Sequence, residues 1–364
     1  MDSPVDYAGP AACGGPFARL TLNSPHNRNA LSSTLVSQLH QGLSAAEADP
    51  AVRLVVLGHT GGTFCAGADL SEAGGGGGDP YRMAVARARE MTALLRAIVE
   101  SPLPVVGAIN GHVRAGGFGL VGACDMVVAG PESTFALTEA RIGVAPAIIS
   151  LTLLPKLSPR AAARYYLTGE KFGAREAADI GLITMAADDV DAAVAALVAD
   201  VGRGSPQGLA ASKALTTAAV LEGFDRDAER LTEESARLFV SDEAREGMLA
   251  FLQKRPPRWV QPATMGAADW ARGAPAYDAG GWEQPIPNYL AVRTHRRRTA
   301  SDRKQHGEEQ HRHTGRHHRL AYAARQPGLG RLLPPLHNNP ASQKNRRNRE
   351  ADRTDPVHRA EPDG

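Results

Sequence analysis

Two glycine-rich turns carry the residues best suited to chemistry. Asn110-Gly111-His112-Val113-Arg114-Ala115-Gly116-Gly117-Phe118-Gly119-Leu120 lies between the apolar runs Val105–Ile109 and Met126–Ala129. A buried strand therefore enters a turn that opens a short helix. The first N–H groups of a helix lack intrahelical partners, and the helix dipole favours negative charge beside them. A second turn, Phe64-Cys65-Ala66-Gly67-Ala68-Asp69-Leu70, follows the apolar run Leu54–Leu57. Two such turns that aim two N–H donors at one oxygen form an oxyanion hole for a thioester or ester carbonyl. Each turn taken alone also reads as tight strand–helix packing. A dinucleotide fingerprint is the other rival, but no G-x-G-x-x-G opens a helix after the first strand.

The elements around these turns follow from periodicity. Phe17–Leu22 alternates apolar and polar residues as a half-buried strand does. Ser32 or Ser33 caps a helix whose apolar positions are Leu35, Val36, Leu39 and Leu43, and Asp49-Pro50 ends it. The five-glycine run Gly74–Gly78 is expected to be a mobile loop beside Asp69, since glycine loses most entropy on ordering. A helix over 81–99 stops before Pro102 and Pro104. The alternation of strands and helices to Ala129 predicts a sheet covered by helices. Beyond Ile148 the pattern is mostly helical. Ser158-Pro159 starts one helix. Amphipathic segments cover 190–201, 210–221 and 225–240, and Asp242 caps a last helix that runs to about Lys254 and ends at Pro256-Pro257.

The 364 residues suffice for one large domain or two smaller ones, and the formal charge is +2. That charge is unevenly spread. Met1–Gln261 holds 23 Lys+Arg and 28 Asp+Glu, a balance of −5; Pro262–Gly364 holds 18 and 11, a balance of +7. The second segment also carries eight of the twelve histidines and few periodic apolar residues. Such a composition cannot offset its ordering entropy by burial, so a basic, His-rich, disordered tail is expected over 262–364. Metal binding and attraction to nucleic acid are readings of that composition; a tail without a dedicated role is the simpler one. The three cysteines, Cys13, Cys65 and Cys124, lie far apart with no metal spacing, which suits buried thiols in a reducing compartment. No segment resembles a secretory signal, and no apolar run approaches the ~20 residues needed to span a bilayer. A soluble, cytoplasmic protein is expected.

Five segments in this order resemble the enoyl-CoA hydratase/isomerase (crotonase) superfamily. They are Pro25-His26-Asn27-Arg28-Asn29-Ala30-Leu31, Phe64–Leu70, Asn110–Asp125, Phe135–Gly143 and Phe251–Trp259. The resemblance spans about Phe17 to Trp259. It implies an α/β fold, a crotonase-like ββα spiral core over 17–200. A flexible N-terminus over 1–16 precedes the core, and a C-terminal helical trimerisation region over 201–261 follows it. It implies trimers or hexamers and a coenzyme A thioester as substrate, coenzyme A being part of the substrate and not a separate cofactor. No metal, membrane or nucleic-acid partner is implied. Matched position by position, Ala68 and Gly116 would give the oxyanion-hole N–H groups. Glu139 would be one of the two glutamates that do acid–base work in the hydratases. Gly119 stands where the other would be. Arg28, Ala66, Asp69, Leu70 and Lys254 would contact coenzyme A, Lys254 from its own or a neighbouring subunit. The segments Arg114–Gly117 and Ala145–Ser150 look most like bacterial methylglutaconyl-CoA hydratases of leucine breakdown.

Hydration of a 2-enoyl thioester requires an acceptor site for enolate charge, a base for water at C3 and an acid at C2. Two backbone N–H groups meet the first need. Glu139 in an apolar pocket would have its pKa raised toward neutrality and could both give and take a proton. One glutamate suffices for the 1,3-proton shift of an isomerase. It also suffices for a hydratase if a second polar group orients the water, and Glu72 and Asp79 beside the glycine run are candidates. Each residue has a plainer reading as well. Glu139 is a surface or capping carboxylate, Asp69 a helix cap, Asp125 a structural acceptor, His112 a packed histidine, and Arg28 and Lys254 surface cations. Three functions therefore compete. They are a 2-enoyl-CoA hydratase for a branched or glutaconyl-type acyl chain; an isomerase, lyase or hydrolase using the same oxyanion hole; and a non-catalytic acyl-CoA- or RNA-binding protein.

Overall fold

The computed structural model describes residues 3–69, 72 and 79–260, all within one compact unit. Leu70, the glycine run 74–78 and the tail 262–364 lie outside the described residues. The fold is α/β, with one six-stranded and one four-stranded sheet.

The larger sheet has the order β1 (Val5–Ala8), β2 (Phe17–Leu22), β3 (Leu54–His59), β5 (Val105–Ile109), β7 (Met126–Ala129), β10 (Met185–Ala186). All its pairs are parallel except β1–β2. Parallel strands have both faces covered, which is why β3 and β5 read as unbroken apolar runs. Val55 and Leu57 join the main core, while Leu54 and Val56 face the helix α8 (Val190–Val201) through Val194 and Val198. Residues 1–16, expected to be a flexible start, instead contribute β1, paired from Val5 with Leu22 to Ala8 with Arg19. Edge pairing satisfies the backbone of β2, so the segment is drawn into the sheet.

Helix α2 (Ser33–Ala48) is capped by Ser32, whose hydroxyl accepts the Leu35 N–H at 3.2 Å. Helix α3 (Pro80–Glu100) is capped by Asp79, which accepts the Tyr81 N–H at 3.1 Å. After α6 (Pro159–Thr168) and α8, the two amphipathic segments expected at 210–221 and 225–240 form one helix, α9 (Pro206–Phe239). Gly223 costs that helix about 1 kcal/mol. The apolar stripe Val220, Phe224, Ala228 and Leu231 nevertheless runs across it onto the core, so burial keeps the helix intact. The α10 helix (Asp242–Leu252) is capped by Ser241, not Asp242: the serine hydroxyl accepts the Ala244 N–H at 3.1 Å.

The smaller sheet positions the functional turns. Its order is β4 (Thr63–Cys65), β6 (His112–Arg114), β8 (Thr134–Ala136), β9 (Phe172–Gly173), the first three parallel. Cys65 pairs with Val113 and Arg114 with Ala136. The chain therefore leaves β4, β6 and β8 at the same edge, the carboxyl ends of parallel strands where α/β proteins place ligands. Those exits carry Ala66-Gly67-Ala68, Ala115-Gly116 and Leu137-Thr138-Glu139.

Candidate active site

The first exit turn is fixed by a short bridge to the Arg28–Leu31 segment. Leu31 N–H donates to Gly67 O at 2.8 Å, and Asp69 N–H donates to Leu31 O at 3.3 Å. A parallel bridge of this kind uses the groups on either side of its partner residue. Ala68 N–H is thereby skipped, and it donates to no group among the described residues. Ala68 itself is exposed. Gly67 has φ 93°, a value that suits glycine, and a Cβ there would lie 2.7 Å from Ala115 Cβ and 3.1 Å from Gly116 N. The two turns thus touch.

The second exit turn ends at Gly116, which precedes the buried helix α4 (Gly117–Ala123). Gly116 N–H also donates to no described group. A Cβ on Gly116 would lie 3.7 Å from Ala68 N and 3.1 Å from Leu31 Cδ1, so the two free donors border one space. Ala115 holds φ 44°, a left-handed conformation that costs an alanine about 1–2 kcal/mol. Sequence reading did not reveal this strain.

Glu139 begins a short 3-10 turn, Glu139–Ile142, after β8. It is 7% exposed, and its Oε2 has no hydrogen-bond partner among the described residues. Desolvation pushes its carboxyl up to about 7, against a smaller opposing effect of its own backbone N–H. A buried polar atom without a partner is costly and uncommon in folded proteins. Tyr166, also absent from the sequence reading, lies close enough to feel this carboxyl. Burial first, and the negative charge of Glu139, push its hydroxyl up to about 12, while the hydrogen bond with Ser150 acts in the other direction. The Tyr166 hydroxyl lies 3.2 Å from Ser150 Oγ, which donates to Pro146 O at 2.6 Å.

Gly119 is packed shut. A Cβ there would lie 2.7 Å from Ile149 Cγ2, 3.0 Å from Leu95 Cδ1 and 3.0 Å from Met91 Cε. An apolar wall thus stands where a second glutamate would project. Nor do Glu72 and Asp79 serve as water-orienting groups. Glu72 pairs with Arg87 and accepts the Ser33 N–H at 3.2 Å, and Asp79 caps α3. Asp125 is structural, accepting the Val105 N–H at 2.7 Å and pairing with Lys213 at 2.9 Å. His112 Nδ1 is packed 2.9 Å from Thr134 Oγ1. Asp69 accepts from Asn27 Nδ2 at 3.3 Å. Cys65 and Cys124 are buried and their thiols pushed up to about 12 by desolvation, so both are inert; Cys13 is only half-buried.

Of the residues expected to meet coenzyme A, Arg28 and Ala66 are joined. Ala66 N–H donates to Arg28 O at 3.1 Å, and Arg28 sits at φ 61° with an exposed side chain. Lys254 is at the far end of the chain trace, exposed, at φ 51°. Neither cation has an ion pair among the described residues. Asn29, fully buried, holds the Arg28 turn. Its Oδ1 accepts the Ser24 N–H at 2.7 Å, and its Nδ2 donates to Thr60 O at 3.1 Å and Thr63 O at 2.8 Å.

Comparison with known proteins agrees with this architecture. The enoyl-CoA hydratase/isomerase family model matches residues 15–262. A crystal structure of an enoyl-CoA hydratase from Mycobacterium avium is 80% identical, with a TM-score of 0.67, covering 71% of this chain and 100% of that one. The enoyl-CoA hydratase EchA19 of Mycobacterium tuberculosis is 31% identical over 252 residues, 66% of this chain and 91% of its own length. The mevalonyl-coenzyme A hydratase of Aspergillus fumigatus is 30% identical over 250 residues, 66% of this chain and 90% of its own. With two free N–H donors and a buried carboxyl at adjacent strand ends, and a family match over most of its described length, this chain belongs to the enoyl-CoA hydratase/isomerase (crotonase) superfamily.

Proposed function

We propose that this protein hydrates 2-enoyl-CoA thioesters, with Ala68 N–H and Gly116 N–H as the oxyanion hole and Glu139 as the acid–base group. The observation that carries this reading is a buried carboxyl without a partner, set at the edge where two unused N–H donors border one space. The thioester oxygen accepts both N–H groups. As the water oxygen bonds to C3, the C2–C3 π electrons shift toward C1 and the carbonyl electrons move onto the thioester oxygen as an enolate, while a Glu139 carboxylate oxygen takes the proton that water loses. The same carboxyl returns a proton to C2 as the carbonyl reforms. The net change is addition of one water across the double bond. A carboxyl held near neutrality suits both transfers. Each backbone donor contributes roughly 3–4 kcal/mol of transition-state stabilisation, because it is already aimed and needs no reorganisation. The Ser150–Tyr166 pair, close enough for Tyr166 to feel the Glu139 charge, is the polar group we assign to orient the water that a second glutamate would hold elsewhere.

Arg28, Ala66, Asp69, Leu70 and Lys254 are assigned to coenzyme A, Arg28 and Lys254 as cations for its phosphates. A branched or glutaconyl-type acyl group, a homotrimer or hexamer and a cytoplasmic setting complete the reading. The apolar wall at Gly119 favours one alternative, a 1,3-proton shift by Glu139 alone, as in an isomerase. Loss of enoyl absorbance on mixing with crotonyl-CoA or 3-methylglutaconyl-CoA supports hydration. Turnover of 3-enoyl-CoA alone supports isomerisation, and binding without turnover of either defeats both. Glu139→Gln should lower kcat at least ~10²-fold with little change in acyl-CoA affinity. Near-full activity would remove Glu139 from the reaction.

A further inference from the structure

Helix α10 touches two places that the reaction needs together. A Cβ on Gly247 would come within 2.4 Å of Ile142 O, in the turn that begins with Glu139. Gly143, which closes that turn, is as close to α10: an added Cβ would lie 2.7 Å from Glu243 C. The helix is thus seated directly on the acid–base turn. Glu246, the neighbour of Gly247, engages the chain that leaves the helix. Its Oε1 and Oε2 accept from Arg255 Nη1 at 2.7 Å and Nη2 at 3.0 Å, the bidentate geometry that fixes orientation. Arg258 N–H donates to Oε1 at 3.0 Å, and Arg258 Nε lies 3.5 Å from Oε2. The Arg255 guanidinium, above all, holds the Glu246 carboxyl down to about 2, so it remains ionised in any neutral buffer.

Lys254 immediately precedes Arg255. It holds a left-handed φ of 51°, which a lysine does not favour unaided, and its ammonium has no partner among the described residues. Arg255 and Arg258 are engaged by Glu246, so Lys254 is the charge left to meet an anion. We propose that Glu246 is a positioning residue for coenzyme A: by clasping Arg255 and Arg258 it fixes Lys254 relative to the Glu139 turn and leaves that ammonium for a substrate phosphate. This rests on the preceding reading that Lys254 meets coenzyme A.

Net charge and placement predict opposite signs. Removing the Glu246 charge makes the segment more positive, so attraction alone would tighten a polyanionic substrate. Placement requires the reverse, since the freed segment no longer presents Lys254. The test compares KM and kcat on an enoyl-CoA and on the same enoyl group carried by pantetheine, which lacks the phosphates. Glu246→Gln should raise KM for the CoA ester about five- to tenfold, with kcat within about twofold and the pantetheine KM unchanged. Arg255→Gln breaks the clasp from the other side, leaves Glu246 in place and should show the same split. A CoA-ester KM that is unchanged or lower in Glu246→Gln, beside a raised one in Lys254→Ala, overturns the clasp alone. An unchanged CoA-ester KM in Lys254→Ala overturns the phosphate assignment beneath it, and the proposal with it.

Discussion

Glu139 is the residue where stability and reactivity conflict. Burial raises its carboxyl from the usual 4.5 to about 7. A carboxyl raised on folding binds its proton more tightly in the native state. Its contribution to stability is therefore complete below the unfolded pKa and is lost as pH rises through 7. Glu139→Gln, which has no charge to bury, should match the wild type near pH 4 and exceed it by up to about 3 kcal/mol near pH 9. Urea unfolding at both pH values measures this; a pH-independent difference would show that burial is not what shifts the group. Gly119 presents the converse case. Glu at 119 alone meets Ile149 Cγ2, a methyl close to its own backbone, and should cost about 1–3 kcal/mol without gain in hydration. Combining it with Ile149→Ala should recover at least half of that loss in thermal unfolding. A single Gly119→Glu variant of wild-type stability would mean that the wall yields.

At the scale of elements, the strand ends and the short bridge beside them make the site. Ala68 N–H is unused because the Leu31 bridge takes the groups on either side of it. That bridge depends on the 24–31 turn, which Asn29 anchors through three hydrogen bonds to Ser24, Thr60 and Thr63. Asn29→Ala leaves buried backbone groups unpaired and should destabilise by about 2–3 kcal/mol. It should also raise KM for the CoA ester by moving Arg28 and the Ala66–Ala68 turn. Equilibrium unfolding and steady-state kinetics on one preparation test both effects; loss of stability with an unchanged KM would separate Asn29 from the site.

Across the whole molecule, helix α9 is tied to the sheet by a buried cation. Lys213 Nζ donates to Ile98 O at 2.8 Å and Leu103 O at 2.9 Å, and it lies 2.9 Å from Asp125 Oδ2, so its three donors are all used. Asp125 in turn holds the start of β5, the strand that leads to the Gly116 turn. Removing one partner of such a pair strands the other charge, so Lys213→Met should cost about 3–5 kcal/mol. Denaturant unfolding followed by circular dichroism measures it. A loss below about 1 kcal/mol would mean that water replaces the lysine. Further along α9, Thr92 Oγ1 lies 3.3 Å from Thr232 Oγ1 and Arg96 pairs with Asp225 at 2.6 Å, which lays the helix along α3.

Residue order alone determined the strands β2, β5 and β7 and the bounds of α8, and it narrowed the cap of α2 to Ser32 or Ser33. Those features follow from local periodicity and local hydrogen bonds, and neighbours in sequence settle them. It also determined which turns bear Ala68 and Gly116, since the turn residues that follow each strand are contiguous. Tertiary structure alone decided the rest. That β1 joins the sheet, that Gly223 does not break α9, and that Glu72 and Asp79 are engaged elsewhere each depend on a partner distant in sequence. So do the wall at Gly119, the anchoring by Asn29 and the clasp at Glu246. A side chain's environment is set by what packs on it from other elements, and neither composition nor spacing encodes that separation in space.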